Sequence, residues 1–122
     1  MKQKTENKIR FHDALKIKMD LVIHKIYSET KNFPKEEIYG VTSQLRRSAL
    51  SIILNYIEGY ARNSRNSYRN FLEISYGSLK ETKYLVYFSH TEKYICKKEY
   101  DEIMSLLDEI GAMLWKLIES KK

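Results

Sequence analysis

The chain holds one proline, one cysteine and four glycines in 122 residues, and each scarcity removes a class of structure. With so few backbone breakers, long uninterrupted helices are open to it. The lone Cys96 excludes an internal disulfide, and no Cys/His cluster has zinc-ligand spacing. No apolar run approaches the ~20 residues that span a bilayer, because charged or polar residues interrupt every segment, so no membrane partner is expected. Residues 1–10 lack the apolar core of a signal peptide, which points to the cytoplasm. What is present is a hydrophobic fraction of 43%, too high for a disordered chain, at a length that closes one core without staples. These features predict a single all-α domain over 1–122, with 1–8 as a flexible basic N-terminus.

The formal charge of +6 is unevenly spread. Residues 1–10 carry a local +3 and residues 42–70 a local +4, whereas 11–41 and 71–96 balance and 97–122 stand at −1. Five of the six arginines, Arg46, Arg47, Arg62, Arg65 and Arg69, lie within that central segment. Arginine suits bidentate phosphate contacts, so the pattern fits a polyanionic partner; it equally fits a solvated, salt-bridged surface.

Hydrophobic periodicity divides the chain into four helical segments. The first, about 9–31, places Phe11, Leu15, Met19, Val22 and Ile26 on one stripe, with Ala14, Ile17, Leu21 and Ile23 beside it, and ends at Asn32-Phe33-Pro34. After a connection over 34–41, Thr42 offers a hydroxyl cap to a second helix over 42–62. A third begins after the Asn63-Ser64 and Asn66-Ser67 punctuation and runs to about Tyr94. The fourth, about 97–121, repeats Tyr100, Ile103, Leu107, Ile110, Leu114 and Leu117 at helical steps. Four long helices with short joints predict an up-and-down four-helix bundle.

The second helix is apolar on two sides. Val41, Leu45, Ala49, Ile52 and Tyr56 form one stripe and Leu50, Leu54, Ile57 and Ala61 another, more than one bundle core can hide, which predicts a subunit interface. A polar seam, Gln44, Ser48, Ser51, Asn55, Glu58 and Arg62, runs between them. It reads either as a solvated face or as a hydrogen-bonded line within or between bundles, in which Glu58 needs a cationic partner. In the third helix Phe71, Leu72, Ile74, Leu79, Leu85, Val86 and Phe88 supply the core, while Gly77-Ser78 sits mid-helix, where glycine costs about 1 kcal/mol against alanine. Close packing against another backbone would offset that cost, and Ser78 with Glu81 extends the polar line.

The string Tyr39-Gly40-Val41-Thr42-Ser43-Gln44-Leu45-Arg46-Arg47-Ser48-Ala49 carries a resemblance, continued by Ser51-Ile52, Asn55, Glu58-Gly59, Arg62, Ser64, Phe71-Leu72, Ile74, Gly77-Ser78 and Glu81. It resembles the bacterial 23S rRNA intervening-sequence proteins, or S23 ribosomal protein family, as do Phe11 and Phe33-Pro34-Lys35-Glu36. Two departures stand out: Ile53 where that family commonly has proline, and Ser75 where it has alanine. The resemblance implies a left-handed up-and-down bundle assembled as a ring-like homopentamer, with a molecular role largely undefined. A similar fold serves as the accessory protein of diversity-generating retroelements, which binds nucleic acid and a reverse transcriptase. Five copies of a chain at +6 would pool about +30.

The reading that follows is a non-catalytic, homo-oligomeric protein that binds RNA or DNA. Its candidate binding residues are Arg62, Arg65, Arg69, Arg46 and Arg47, supplemented by the N-terminal lysines, and Arg46 or Arg47 is expected to pair with Glu58 or Glu81. The alternative is a protein-interaction scaffold, favoured by ten tyrosines. An enzyme is not expected. Di-iron bundles use Glu-x-x-His, and the residues three before His12, His24 and His90 are Ile9, Leu21 and Tyr87; nor is there a phosphate-cradling glycine loop, so no metal or cofactor is expected.

Overall fold

The computed structural model describes residues 2–122 and is all-helical, with no strand among the described residues. Helices α1 (Lys2–Thr30), α2 (Val41–Tyr60), α3 (Arg65–Thr91) and α4 (Lys97–Ser120) are joined by short connections, the first of which contains a 3-10 turn at Lys35–Glu37. Joints this short force consecutive helices to lie antiparallel. Each helix packs on two others, α1 on α2 and α4, α3 on α2 and α4, with α2 against α3 the most extensive pair. The ion pairs Lys18–Glu109 at 2.9 Å and Lys25–Glu102 at 3.1 Å run in opposite numerical order along α1 and α4, as antiparallel neighbours require.

The core is the set of stripes that periodicity marks. Leu15, Met19, Val22 and Ile26 of α1, Leu45, Ala49, Ile52 and Tyr56 of α2, Leu72, Leu79 and Val86 of α3, and Ile103, Leu107, Ile110 and Leu114 of α4 are all buried. Each fully buried aliphatic side chain contributes about 1.5–3 kcal/mol relative to exposure, so these positions dominate the favourable side of folding. Ile53, at the commonly prolyl position, lies within an uninterrupted α2.

Four local expectations need correction. Helix α1 reaches back to Lys2 rather than starting near residue 9, so residues 2–8 are helical. Gly40, not Thr42, caps α2: the Val41 N–H is met by the Glu37 carboxylate at 3.4 Å, and Thr42 is buried. Helix α3 stops at Thr91 because Lys93 adopts a left-handed conformation, φ 68°, letting its own N–H reach the His90 carbonyl and that of Tyr94 the Ser89 carbonyl. That is the Schellman arrangement, here without the glycine that usually announces it. Finally, Ile74 is half exposed rather than core.

Candidate nucleic-acid interface

The polar seam of α2 lies against α3 inside one subunit. Thr82 Oγ1 donates to Ser48 Oγ at 2.8 Å, Ser51 and Ser78 hydroxyls meet at 2.8 Å, and Asn55 Nδ2 donates back to Ser51 at 2.9 Å. Ser75, the alanine departure, is fully buried and donates to the Ile52 carbonyl at 2.6 Å. Small side chains let the two backbones approach, and each satisfied hydroxyl contributes about 1 kcal/mol net. At the exposed ends of the line, Arg47 bridges Gln44 and Glu81, and Glu58 takes Arg62 as its cation at 2.8 Å. Arg46 donates to Thr30 Oγ1 at 2.8 Å with its guanidinium 4.8 Å from the Tyr27 ring centre. Both central arginines are thus engaged within the subunit.

The seam ends at the α2–α3 joint, which is built for close approach. A Cβ at Gly59 would stand 2.9 Å from Phe71 Cβ and 3.2 Å from the Tyr68 carbonyl oxygen. Ser64 then starts α3, its hydroxyl accepting from the Ser67 N–H at 3.2 Å. Gly59→Ala should lower the urea midpoint, because overpacking of about 1–3 kcal/mol outweighs the gain of about 1 kcal/mol in helix propensity. An unchanged or higher midpoint would contradict the geometry.

The joint holds Arg62, Arg65 and Arg69 on the surface. Arg62 pairs with Glu58 while lying 4.7 Å from the Phe71 ring centre, Arg69 pairs with Glu73 at 2.9 Å, and Arg65 makes no ion pair among the described residues. Antiparallel packing brings the start of α1 and the end of α4 to the same end of the bundle. Lys116 and Lys121 line one groove with Lys8 and His12, and Lys121 places its ammonium 5.0 Å from the Tyr68 ring centre. Burial, then Lys8 and Arg65, depress the Lys121 pKa, a sign of like charges crowded together. This end gathers Lys2, Lys4, Lys8, Arg10, Lys16, the three joint arginines, Lys116, Lys121 and Lys122 against Glu6, Asp13, Glu58, Glu73 and Glu119. Eleven cations face five anions, which accounts for the whole formal excess of +6, while the remainder of the molecule balances. Lys116, Lys121 and Lys122 escape the sequence reading because their segment is slightly acidic; only the alternating helix directions unite them with the N-terminal lysines.

Beneath these cations lies an aromatic cluster. His12 Nδ1 is hydrogen-bonded to the Tyr56 hydroxyl, and the His12 ring meets Tyr60 edge-on at 4.6 Å. Tyr60 in turn packs on Tyr68 at 6.1 Å. Burial, reinforced by Lys8, Lys121 and Lys16, lowers the His12 pKa, so the ring is neutral near pH 7. Burial raises the Tyr56 phenol and pushes Tyr68 up to about 12, keeping both protonated.

A different surface runs along α1 and α2. Ile17 and Leu21 of α1 and Leu50 and Leu54 of α2 remain exposed, Ile17 at 66% and Leu54 at 58%. Ile53 shares a shallow groove with Ile17 and Leu21, so the two rows are contiguous. Gly77 does not pack closely inside the subunit, as a mid-helix glycine suggests it should: nothing lies within 4 Å of the space its Cβ would fill.

The family model described as 23S rRNA-intervening sequence protein matches residues 12–116. No curated protein matches the chain. Among solved structures, the chain is similar to a protein of unknown function from the S23 ribosomal protein family of Bacteroides thetaiotaomicron VPI-5482, at 26% identity and a TM-score of 0.79, covering 85% of this chain and 97% of that one. A model match across nearly the whole bundle, with a solved relative of the same architecture, means that the chain belongs to the 23S rRNA-intervening sequence protein family.

Proposed function

We propose that the protein is a cytoplasmic, non-catalytic, homo-oligomeric nucleic-acid-binding bundle that holds RNA or DNA against its basic end. The observation that carries this reading is the gathering of the entire charge excess at one end of the molecule. At the starts of α1 and α3 the arrangement works against the isolated fold, whereas Arg62, Lys121 and Lys122 sit favourably past the ends of α2 and α4. Lys2 and Lys4 open α1 and Arg65 opens α3, where the helix dipole makes cations unfavourable by about 0.3–1 kcal/mol each, and neither helix has an acidic residue in its first turn. Phosphates laid across the end would neutralise the side chains and the N-termini of α1 and α3. The family's link to rRNA makes RNA the first candidate.

Assembly multiplies the effect. The apolar face of α1 and α2 is suited to a second copy, and the left-handed bundle and ring-like homopentamer that the S23 resemblance implies would bring several basic ends together. The test is equilibrium binding of single-stranded and duplex RNA across a salt series. Affinity should fall linearly on log-log axes, by a slope of about −0.7 per phosphate neutralised on a single strand and −0.9 on a duplex. Affinity that does not change with salt would refute the proposal.

A protein-interaction scaffold is the second reading. Trp115 is 50% exposed, lies 5.7 Å from Tyr76 and borders a groove between α3 and α4. Tryptophan is enriched among the residues that dominate protein interfaces. A stoichiometric protein partner retained after nuclease treatment, and lost with Trp115→Ala, would favour this reading.

A further inference from the structure

A cleft of about 150 Å³ opens between α1 and α2 at the basic end, lined by Ile9, His12, Asp13, Lys16, Tyr56, Ile57 and Tyr60. We infer that it receives one unstacked pyrimidine base of a single-stranded nucleic acid, an inference that rests on the nucleic-acid reading and adds the ligand class. Size comes first: a cavity of about 150 Å³ is what a single six-membered ring occupies, as benzene does in an engineered apolar cavity. The walls fit the same ligand. Ile9 and Ile57 are apolar, and Tyr60 presents a half-exposed ring whose orientation is fixed by edge-on contact with His12 at 4.6 Å and with Tyr68 at 6.1 Å. A ring held on two sides and open on another is a preorganised stacking surface.

Charge selects the occupant. Lys16 and Asp13 line the cleft, and Lys8 and Lys121 lie close enough to His12 to depress its pKa, so three lysines outweigh the one carboxylate and suit the phosphates on either side of an inserted base. An apolar side chain of a neighbouring protein would gain nothing from those lysines. His12 itself is buried and neutral, with one nitrogen committed to Tyr56, so it forms a polar wall without adding a second charge.

The experiment compares oligouridylate of about 12 nucleotides, within the usual range of single-strand sites, with a duplex RNA of equal length, on the full chain and on Tyr60→Ala and Tyr60→Phe. Removing one base-stacking platform should weaken oligouridylate binding by about 5- to 150-fold in Tyr60→Ala, with the salt slope and duplex affinity unchanged, while Tyr60→Phe binds as the parent does. Light scattering on the same samples should give an unchanged size. Equal losses for single strand and duplex, or single-strand affinity within about twofold of the parent's, would overturn the base slot and leave the basic end standing. A change in size would reassign the cleft to contact between copies. Absence of binding to either RNA by the parent protein would remove the slot and the nucleic-acid reading together.

Discussion

Replacing Arg62, Arg65 and Arg69 together by glutamine should weaken RNA binding by roughly two to three orders of magnitude near 0.1 M salt. The size follows from counterion release: each phosphate left without its arginine takes about 0.7–0.9 off the log-log slope, which is about five- to eightfold in affinity at that salt concentration. Two of the three arginines are engaged by exposed pairs one helical turn apart, Arg62 with Glu58 and Arg69 with Glu73, and Arg62 also lies over the Phe71 ring. Such pairs contribute about 0.3–0.5 kcal/mol and yield readily to a phosphate, which explains how paired side chains remain available. Arg65 has no such competitor among the described residues. The matched control is Arg46→Gln with Arg47→Gln. Arg46 is tied to Thr30 and Tyr27 and Arg47 to Gln44 and Glu81, so this pair should change binding by less than about threefold while costing about 1 kcal/mol of stability in urea. Equal losses from both sets, measured by fluorescence anisotropy across salt, would show that charge acts without regard to position and would contradict a localised interface.

The contrast between these two sets of arginines marks how far the sequence could be read. Helix number, the core stripes and the surplus on α2 are written in the spacing of apolar residues, since Leu45, Ala49, Ile52 and Tyr56 recur at steps of three and four and are all buried. The seam was equally legible as a line, because Ser48, Ser51 and Asn55 share one side of the helix. That it meets Ser78 and Thr82 of the same subunit needed the α2–α3 pairing. Boundaries were missed where the backbone breaks without its usual residue, as at Lys93, or where a remote carboxylate, Glu37, satisfies the first N–H in place of a local hydroxyl. The basic end was visible only in pieces. Its cations come from residues 2–16, 62–69 and 116–122, and the last of these lie in a stretch, 97–122, that sums to −1 and hides them until α4 is known to end beside the start of α1.

Ile17→Glu combined with Leu54→Glu should leave the subunit folded and take the proposed assembly apart. Both side chains face solvent in the single subunit, so neither substitution opens a cavity or buries a charge there, and helical content with a cooperative urea transition should persist. Between copies the balance differs. Each apolar side chain removed from water contributes about 1.5–3 kcal/mol, and a carboxylate in its place must be desolvated without a partner, which adds several kcal/mol more. Summed over two positions at each interface, the loss exceeds the roughly 8 kcal/mol that corresponds to micromolar association, and light scattering should report single chains. RNA affinity and its salt slope should fall in step, because one basic end then replaces several. Gly77→Ala separates helix propensity from contact on another face: with open space around Gly77 in the subunit, alanine should raise stability by about 1 kcal/mol if that face stays wet. If a neighbouring copy lies against it, the added methyl group should instead reduce the measured size. A double glutamate variant that keeps the parent's size would place the contact elsewhere and leave the exposed row on α1 and α2 without an occupant.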